Sequence, residues 1–368
     1  MMLGRKWDVW LALAIGVVTF ALLVPYVDAS MPSIRDTTTV GMGDEGTVLS
    51  NADRVSRGDA LYREVFDFKG PIGYLPYVVA YKFATPTVRT ARLVMFGILA
   101  CWAAATFAVS RRITGSRGLG AVAALLVPLQ VWQAWSYAYQ DFTAQLFLTL
   151  AVLCALKSPE ARQTATGLIL PAGLWLGAAG ACAALAFWTS LAQGLTVMVG
   201  LGVSIAAVEV ISAGRSAAAR SVVAYALGII ASTLAVVAWL LAMGAVSAGL
   251  QAMFVFPFKH YAGTNVTEYA FDASLYPERW MGTPWVYHSV RLMVEATRFI
   301  PFLALGVALP VAVWLVALVV RPKLRRWPAS ALVRAGMPAS LAAAAVPVVL
   351  NKTRSDICHI GFIEGGCI

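Results

Sequence analysis

The sequence predicts an all-α polytopic membrane protein, on three observations: long apolar runs, a scarcity of charge, and a one-sided distribution of basic residues. Of 368 residues, 60% are hydrophobic and 12% are charged, whereas a soluble domain carries roughly 25% charged residues. A helical span needs about 20 predominantly apolar residues, and the chain offers that pattern repeatedly. The runs are continuous and do not alternate with period two, so helices are preferred to a β-barrel. The formal net charge of +10 is spread over short connections. It points to membrane lipid as the chain's surroundings, with no nucleic-acid partner.

In chain order, spans are expected near 9–27, 90–110, 118–136, 141–156, 166–187, 190–211, 221–243, 297–320 and 330–350, about nine in all. The N-terminus resembles a signal sequence, with Arg5 and Lys6 before an apolar run and a weak cleavage pattern at Val27-Asp28-Ala29. The run is longer than a usual signal core, so it is read as an uncleaved first span. The connections 111–117, 157–165, 212–220 and 321–329 carry Arg111, Arg112, Arg117, Lys157, Arg162, Arg215, Arg220, Arg321, Lys323, Arg325 and Arg326 against a single acid, Glu160. The positive-inside rule assigns these connections to the cytoplasm. The expected location is therefore the cytoplasmic membrane, multi-pass, with the N-terminus inside. The loops 28–89 and 244–296 and the tail after Leu350 then face outward. All of this is one membrane-embedded domain over 1–368.

Two elements of the first outer loop are expected not to cross. Residues 71–84 are apolar but interrupted by Pro76 and followed by Pro86. At 1.5 Å per residue, about 14 residues cover roughly 21 Å, short of the roughly 30 Å hydrocarbon core. The segment is read as re-entrant or interfacial. After Gly43-Asp44-Glu45-Gly46, the apolar residues Val48, Leu49, Ala52 and Val55 mark one face of a helix, with Ser50, Asp53, Arg54 and Arg57 on the other. Gly58 is its expected stop, and the helix is expected to lie in the membrane interface.

Cys101, Cys154 and Cys182 fall in apolar runs and read as small hydrophobes. Cys358 and Cys367 are placed to pair in an oxidising compartment. No CxxC or Cys/His cluster suggests a metal site, and no phosphate-binding glycine loop is present.

The polar groups that could carry chemistry collect on one predicted face. They are Asp44, Glu45, Asp59, Asp67, Lys69, Asp141, Lys259, His260, Lys352, Arg354 and His359. Each has a plainer reading. Asp44 can cap the helix that follows, and Glu45 suits that helix's positive end. Asp59 and Asp67 can be turn residues, and Lys69 a snorkelling lysine. Asp141 can serve the N-terminus of its span, and Arg354 and His359 can flank the last one. An Asp-Glu pair can also attract a divalent cation, but two carboxylates are too few to define a site.

The loop GDEGTVLSNADRVSRGDALYREVFDFKGPIGYLPYVVAYKFA combines an Asp-Glu pair after the first span, an amphipathic helix, a G-x-x-L-Y-R-E-x-F-D-F element and K-G-P-I-G-Y. It resembles the first outer loop of GT-C glycosyltransferases that use polyprenyl-phosphate sugars, in the protein O-mannosyltransferase and aminoarabinose-transferase branch. Asp141 and the R-x-D-x-x-H element Arg354–His359 are further matches. The oligosaccharyltransferase W-W-D motif is absent. The resemblance implies a GT-C-like bundle that transfers a sugar, with inversion, from a polyprenyl-phosphate donor to a protein, lipid or glycan acceptor outside the membrane. It implies Asp44 as base, Glu45 as helper and Asp141 as a positioning acid, with Lys69, Arg354 and His359 for the donor phosphate. Relatives continue with more spans after the last element, so a C-terminally shortened member is expected. Sugar-phosphate chemistry agrees in kind, since a carboxylate must take the acceptor proton and cations must steady the departing phosphate. The alternatives are a flippase for a lipid-linked sugar and a non-catalytic membrane partner. A transporter would place charges at the span centres, and the expected centres carry almost none.

Overall fold

The computed structural model describes residues 2–28, 40–134, 141–163, 172–257 and 259. The expected spans near 297–320 and 330–350, and the residues His260, Lys352, Arg354, Cys358, His359 and Cys367, lie outside them. Among the described residues the chain is mostly helical, with one isolated β-bridge and no strand. The helices are α1 Met2–Leu23, α2 Val40–Ser56, α3 Leu75–Phe83, α4 Val88–Thr114, α5 Arg117–Ala134, α6 Asp141–Gln163, α7 Ala172–Phe187, α8 Leu191–Ala213, α9 Arg215–Ala242 and α10 Val246–Leu250. A π-helical turn, Gln251–Val255, follows α10.

Four of the described helices contain stretches long and apolar enough to cross a membrane: Val88–Thr114, Asp141–Ser158, Gln193–Val210 and Arg215–Ala242. Trp7–Leu23, Arg117–Pro128 and Ala172–Phe187 are shorter apolar helical stretches. Exposed side chains mark the outer surface. Trp7, Trp10 and Val17 on α1, Val199 and Val203 on α8, and Leu227, Ile230 and Leu234 on α9 all project from the protein. An apolar surface of this extent is unsuited to water and suited to lipid. Within the bundle, 61% of the α4 stretch is buried against 22% of the α9 stretch. Among the described helices, α4 is thus central and α9 peripheral.

Ion pairs fix the direction of the first two long helices. Asp8 on α1 meets Arg117 at 2.6 Å and Arg111 at 3.6 Å, at the turn between α4 and α5. At the opposite end, Asp28 meets Arg89 at 3.1 Å, and Arg92 donates to the Val27 carbonyl at 3.1 Å. α1 and α4 are therefore antiparallel, and the chain between them leaves and returns at the same end of the bundle. The nine residues of α3 reach only about 14 Å, so α3 is a short helix at that end. Arg111, Arg112 and Arg117 gather at the other end. Lys157 lies there too, 4.4 Å over the Trp175 ring where α6 gives way to α7.

The helix boundaries follow from local chemistry. Thr87 caps α4 by accepting from the Thr90 N–H at 3.1 Å, and Gly115 closes it in the left-handed region at φ 74°. α2 ends in a Schellman motif: Gly58 at φ 114° donates to Val55 O, and Asp59 donates to Arg54 O, both at 3.1 Å. Asp59 also pairs with Arg54 at 2.6 Å. Gly58 thus ends the helix as the sequence suggested. The start differs, because α2 begins at Val40 and holds Asp44 in its second turn. Asp44 is therefore a residue of the helix interior, and its reading as an N-cap is overturned. The amphipathic pattern of α2 is used for packing. Val48 and Ala52 are completely buried, and Leu49 and Val55 nearly so, so its apolar face packs on protein.

Bare backbone makes the closest helix contact. A Cβ on Gly228 of α9 would fall 1.8 Å from the Gly177 carbonyl oxygen of α7, and one on Gly180 would fall 2.0 Å from Tyr225 O. Without a hydrophobic driving force between helices in lipid, such small-residue surfaces supply the packing. Gly228→Ala should force α7 and α9 apart and lower stability by about 1–3 kcal/mol or more. Gly173→Ala, where nothing lies within 4 Å of the added atom, should be neutral. Thermal melting of both variants in detergent checks this, and equal melting temperatures would refute the contact.

Candidate functional site

The polar end is built on α2 and the loop that follows it. Glu45, one turn before Leu49, sits on the buried side of α2 and meets Arg92 from the first turns of α4. Arg92 Nε donates to Glu45 Oε1 at 3.0 Å and Nη2 to Oε2 at 2.8 Å. Nη1 also donates to Val27 O at 3.1 Å. Both side chains are under 10% exposed. One guanidinium thus ties the end of α1, the middle of the first loop and the start of α4. A bidentate fork on a carboxylate is the strongest arrangement these groups can make.

The loop after α2 folds around a second carboxylate. Asp67 is buried. Its Oδ1 accepts from the N–H groups of Phe68 at 2.6 Å and Lys69 at 3.1 Å. Its Oδ2 accepts from Asn51 Nδ2 at 3.3 Å and from the Tyr74 hydroxyl. Tyr62, at φ 71°, donates through its hydroxyl to Lys69 O at 2.6 Å. Burial first, and then the Asp67 charge, push the Tyr62 and Tyr74 hydroxyls well above the usual phenol range. Both therefore remain protonated donors. Glu64 accepts from the Ala60 N–H at 2.7 Å and from Arg63 at 2.9 Å. The Ala60 bond first, and Arg63 next, hold its carboxyl below the ordinary range. The L-Y-R-E-x-F-D-F segment is thus a self-bonded turn whose acids serve its own shape.

The K-G-P-I-G segment docks this turn on the bundle. Ile72 N donates to Trp188 O at 3.1 Å. A Cβ at Gly70 would lie 2.0 Å from the same oxygen, so only glycine allows the approach. The 3₁₀ turn Pro71–Gly73 also packs against α6, whose first residue is Asp141. The aromatic rings of Phe66 and Phe68 lie 5.0 and 5.7 Å from Phe256, beyond the π-turn.

Of the residues singled out in the sequence, Asp44 and Glu45 fall on α2, Lys69 is half-buried in the docked turn, and Asp141 opens α6. All belong to the same end of the bundle. Lys259 is exposed beyond α10. Arg354 and His359 are outside the described residues. Glu45 is joined to Arg92, which sequence reasoning passed over because it lies just inside an expected span and in no motif. The signal that would have found it is a lone arginine inside an apolar run, which demands a partner. Among the described residues, no three His, Cys, Asp or Glu side chains group as a metal site.

The fold and its polar end define a helical membrane protein with a structured cap at one end of the bundle. No protein-family model, curated protein or solved structure matches the chain.

Removing one member of a buried ion pair strands the other's charge and destabilises by about 3–5 kcal/mol, whereas replacing both with apolar side chains is often near neutral. Arg92→Met should therefore lower the stability of the purified protein strongly. Adding Glu45→Leu to Arg92→Met should recover most of the loss in chemical denaturation. Two variants that unfold alike would show that the pair is not coupled.

Proposed function

We propose that the protein transfers a sugar from a polyprenyl-phosphate donor to an acceptor at the outer surface of the cytoplasmic membrane. The observation that carries this reading is the gathering of Asp44, Lys69 and Asp141 at the capped end of a lipid-facing bundle, opposite the basic turns. A lipid phosphate presents its headgroup at that level while its chain stays in the hydrocarbon. The proton of an acceptor hydroxyl needs a carboxylate within hydrogen-bond reach, and the departing phosphate needs a cation.

Glu45 is taken up by Arg92 and Asp67 by four donors; following the resemblance, we assign the base to Asp44. Asp141 positions the reacting groups. Lys69 faces the donor phosphate, with Arg354 and His359 as its partners in the resembling motif. An ammonium beside the phosphate strengthens its contact as the leaving group gains charge.

Purified protein given a panel of labelled polyprenyl-phosphate sugars should release the lipid phosphate. Asp44→Asn preserves side-chain shape. It should leave expression and donor binding intact and reduce transfer by about 10²–10⁴-fold, the usual contribution of a positioned base. Transfer within a few-fold of wild type would remove Asp44 from the chemistry.

The membrane orientation rests on the positive-inside rule, which sets the basic turns in the cytoplasm. In a protein lacking its native cysteines, Ser116→Cys should be labelled by an impermeant maleimide from the cytoplasmic side only. Ser50→Cys, on the exposed side of α2, should be labelled from the outside only. The opposite pattern would invert the molecule and place the cap inside the cell.

A further inference from the structure

α6 carries a polar stripe of which the chemistry above uses only the first member, Asp141. Asp141, Gln145 and Thr149 follow one another at intervals of four residues, so they share a face of the helix. The stripe runs about 12 Å inward from the capped end, within a helix that is otherwise long and apolar enough to cross a membrane. Gln145 is only 2% exposed. Its Nε2 donates to Oε1 of Gln193, in the first turn of α8, at 3.1 Å. One turn deeper, Thr149 accepts from Trp102 Nε1 of α4 at 3.0 Å and donates to Gln145 O at 2.9 Å. The deeper pair is complete in itself. In the shallower pair Gln193 accepts, and among the described residues its own amide N–H groups donate to no protein atom.

The position of this amide pair gives it meaning. Gln193 lies in the first turn of the helix that follows Trp188, whose carbonyl anchors the Gly70–Ile72 turn, and that turn packs against α6. The two carboxamides thus lie beside the docked turn that carries Lys69, one helical turn inward from Asp141. A carboxamide presents two N–H donors and a carbonyl acceptor at fixed angles and without charge. It is suited to a group bearing several neighbouring hydroxyls, each both donor and acceptor.

We propose that Gln145 and Gln193 are specificity-determining residues that bind the neutral, hydroxyl-bearing ring of the donor between α6 and α8. This inference rests on the sugar-transfer reading, and it separates donors by what hangs from the phosphate. The phosphate is read by cations, and the ring by the two amides.

The test is binding, measured by native mass spectrometry on the full chain in detergent with two probes: a polyprenyl-phosphate hexose and the same polyprenyl phosphate without the sugar. Wild type should bind the hexose form about tenfold tighter or more, the scale of one good hydrogen bond. The double variant Gln145→Met with Gln193→Met removes both partners while keeping their length, a change that is close to neutral for folding. It should bind the bare lipid phosphate within about twofold of wild type and lose the preference for the hexose form. Gln193→Asn, which keeps the amide but shortens its reach, should lose part of the preference and decides the matter alone if the double variant fails to fold.

A preference that survives in the variants would overturn the proposal, as would wild type that binds both probes alike. If wild type shows the preference, the variants lose it and no transfer occurs with any donor, the subsite stands and the catalytic reading falls.

Discussion

The Arg92 guanidinium is the group on which the capped end depends. It joins three stretches of chain that are far apart in sequence: the exit of α1, the helix in the first loop, and the entry of α4. A buried arginine in a membrane protein must be neutralised and fully hydrogen-bonded. Here the bidentate carboxylate and the Val27 carbonyl meet that demand together. The net stabilisation from such a pair is modest because both charges lose their water. Its larger effect is geometric, since only one placement of α2 satisfies all three bonds. Asp44 is the neighbour of Glu45 in the chain, so the same bonds fix the level of its backbone.

The Asp67 network continues that logic along the loop. A carboxylate that collects two backbone N–H groups, an amide and a phenol closes the segment on itself. The loop then behaves as a small folded body and not as a tether. Its attachment at Trp188 joins it to the α7–α8 turn. The cap therefore rests on both halves of the described bundle: the α1–α4 side through Arg92 and the α7 side through Gly70.

Much of the architecture was legible in the sequence because the signals were long or chemically specific. The apolar runs that became α4, α6, α8 and α9 exceed anything a soluble core requires. Gly58 and the spacing of Val48, Ala52 and Val55 gave the end and the inner face of α2. Its beginning was hidden, because Val40-Gly41-Met42-Gly43 has a poor helix-forming composition. The candidate site was less legible. Carboxylates advertise themselves, but a sequence does not say which are already spoken for. Asp67 and Glu64 became internal staples, and Glu45 acquired a partner 47 positions away. The amide pair Gln145–Gln193 was invisible for the same reason, since an uncharged polar residue within a span carries no motif.

The glycine contact between α7 and α9 bears on how force moves through the molecule. Gly177, Gly180 and Gly228 bring the two backbones into direct contact, so α7 and α9 pack as one closely joined pair. Trp188 directly follows α7. Its indole donates to Thr233 of α9 at 3.3 Å while its carbonyl holds Ile72. A displacement of the α7–α9 pair would therefore be felt through the Trp188 carbonyl at the loop carrying Lys69.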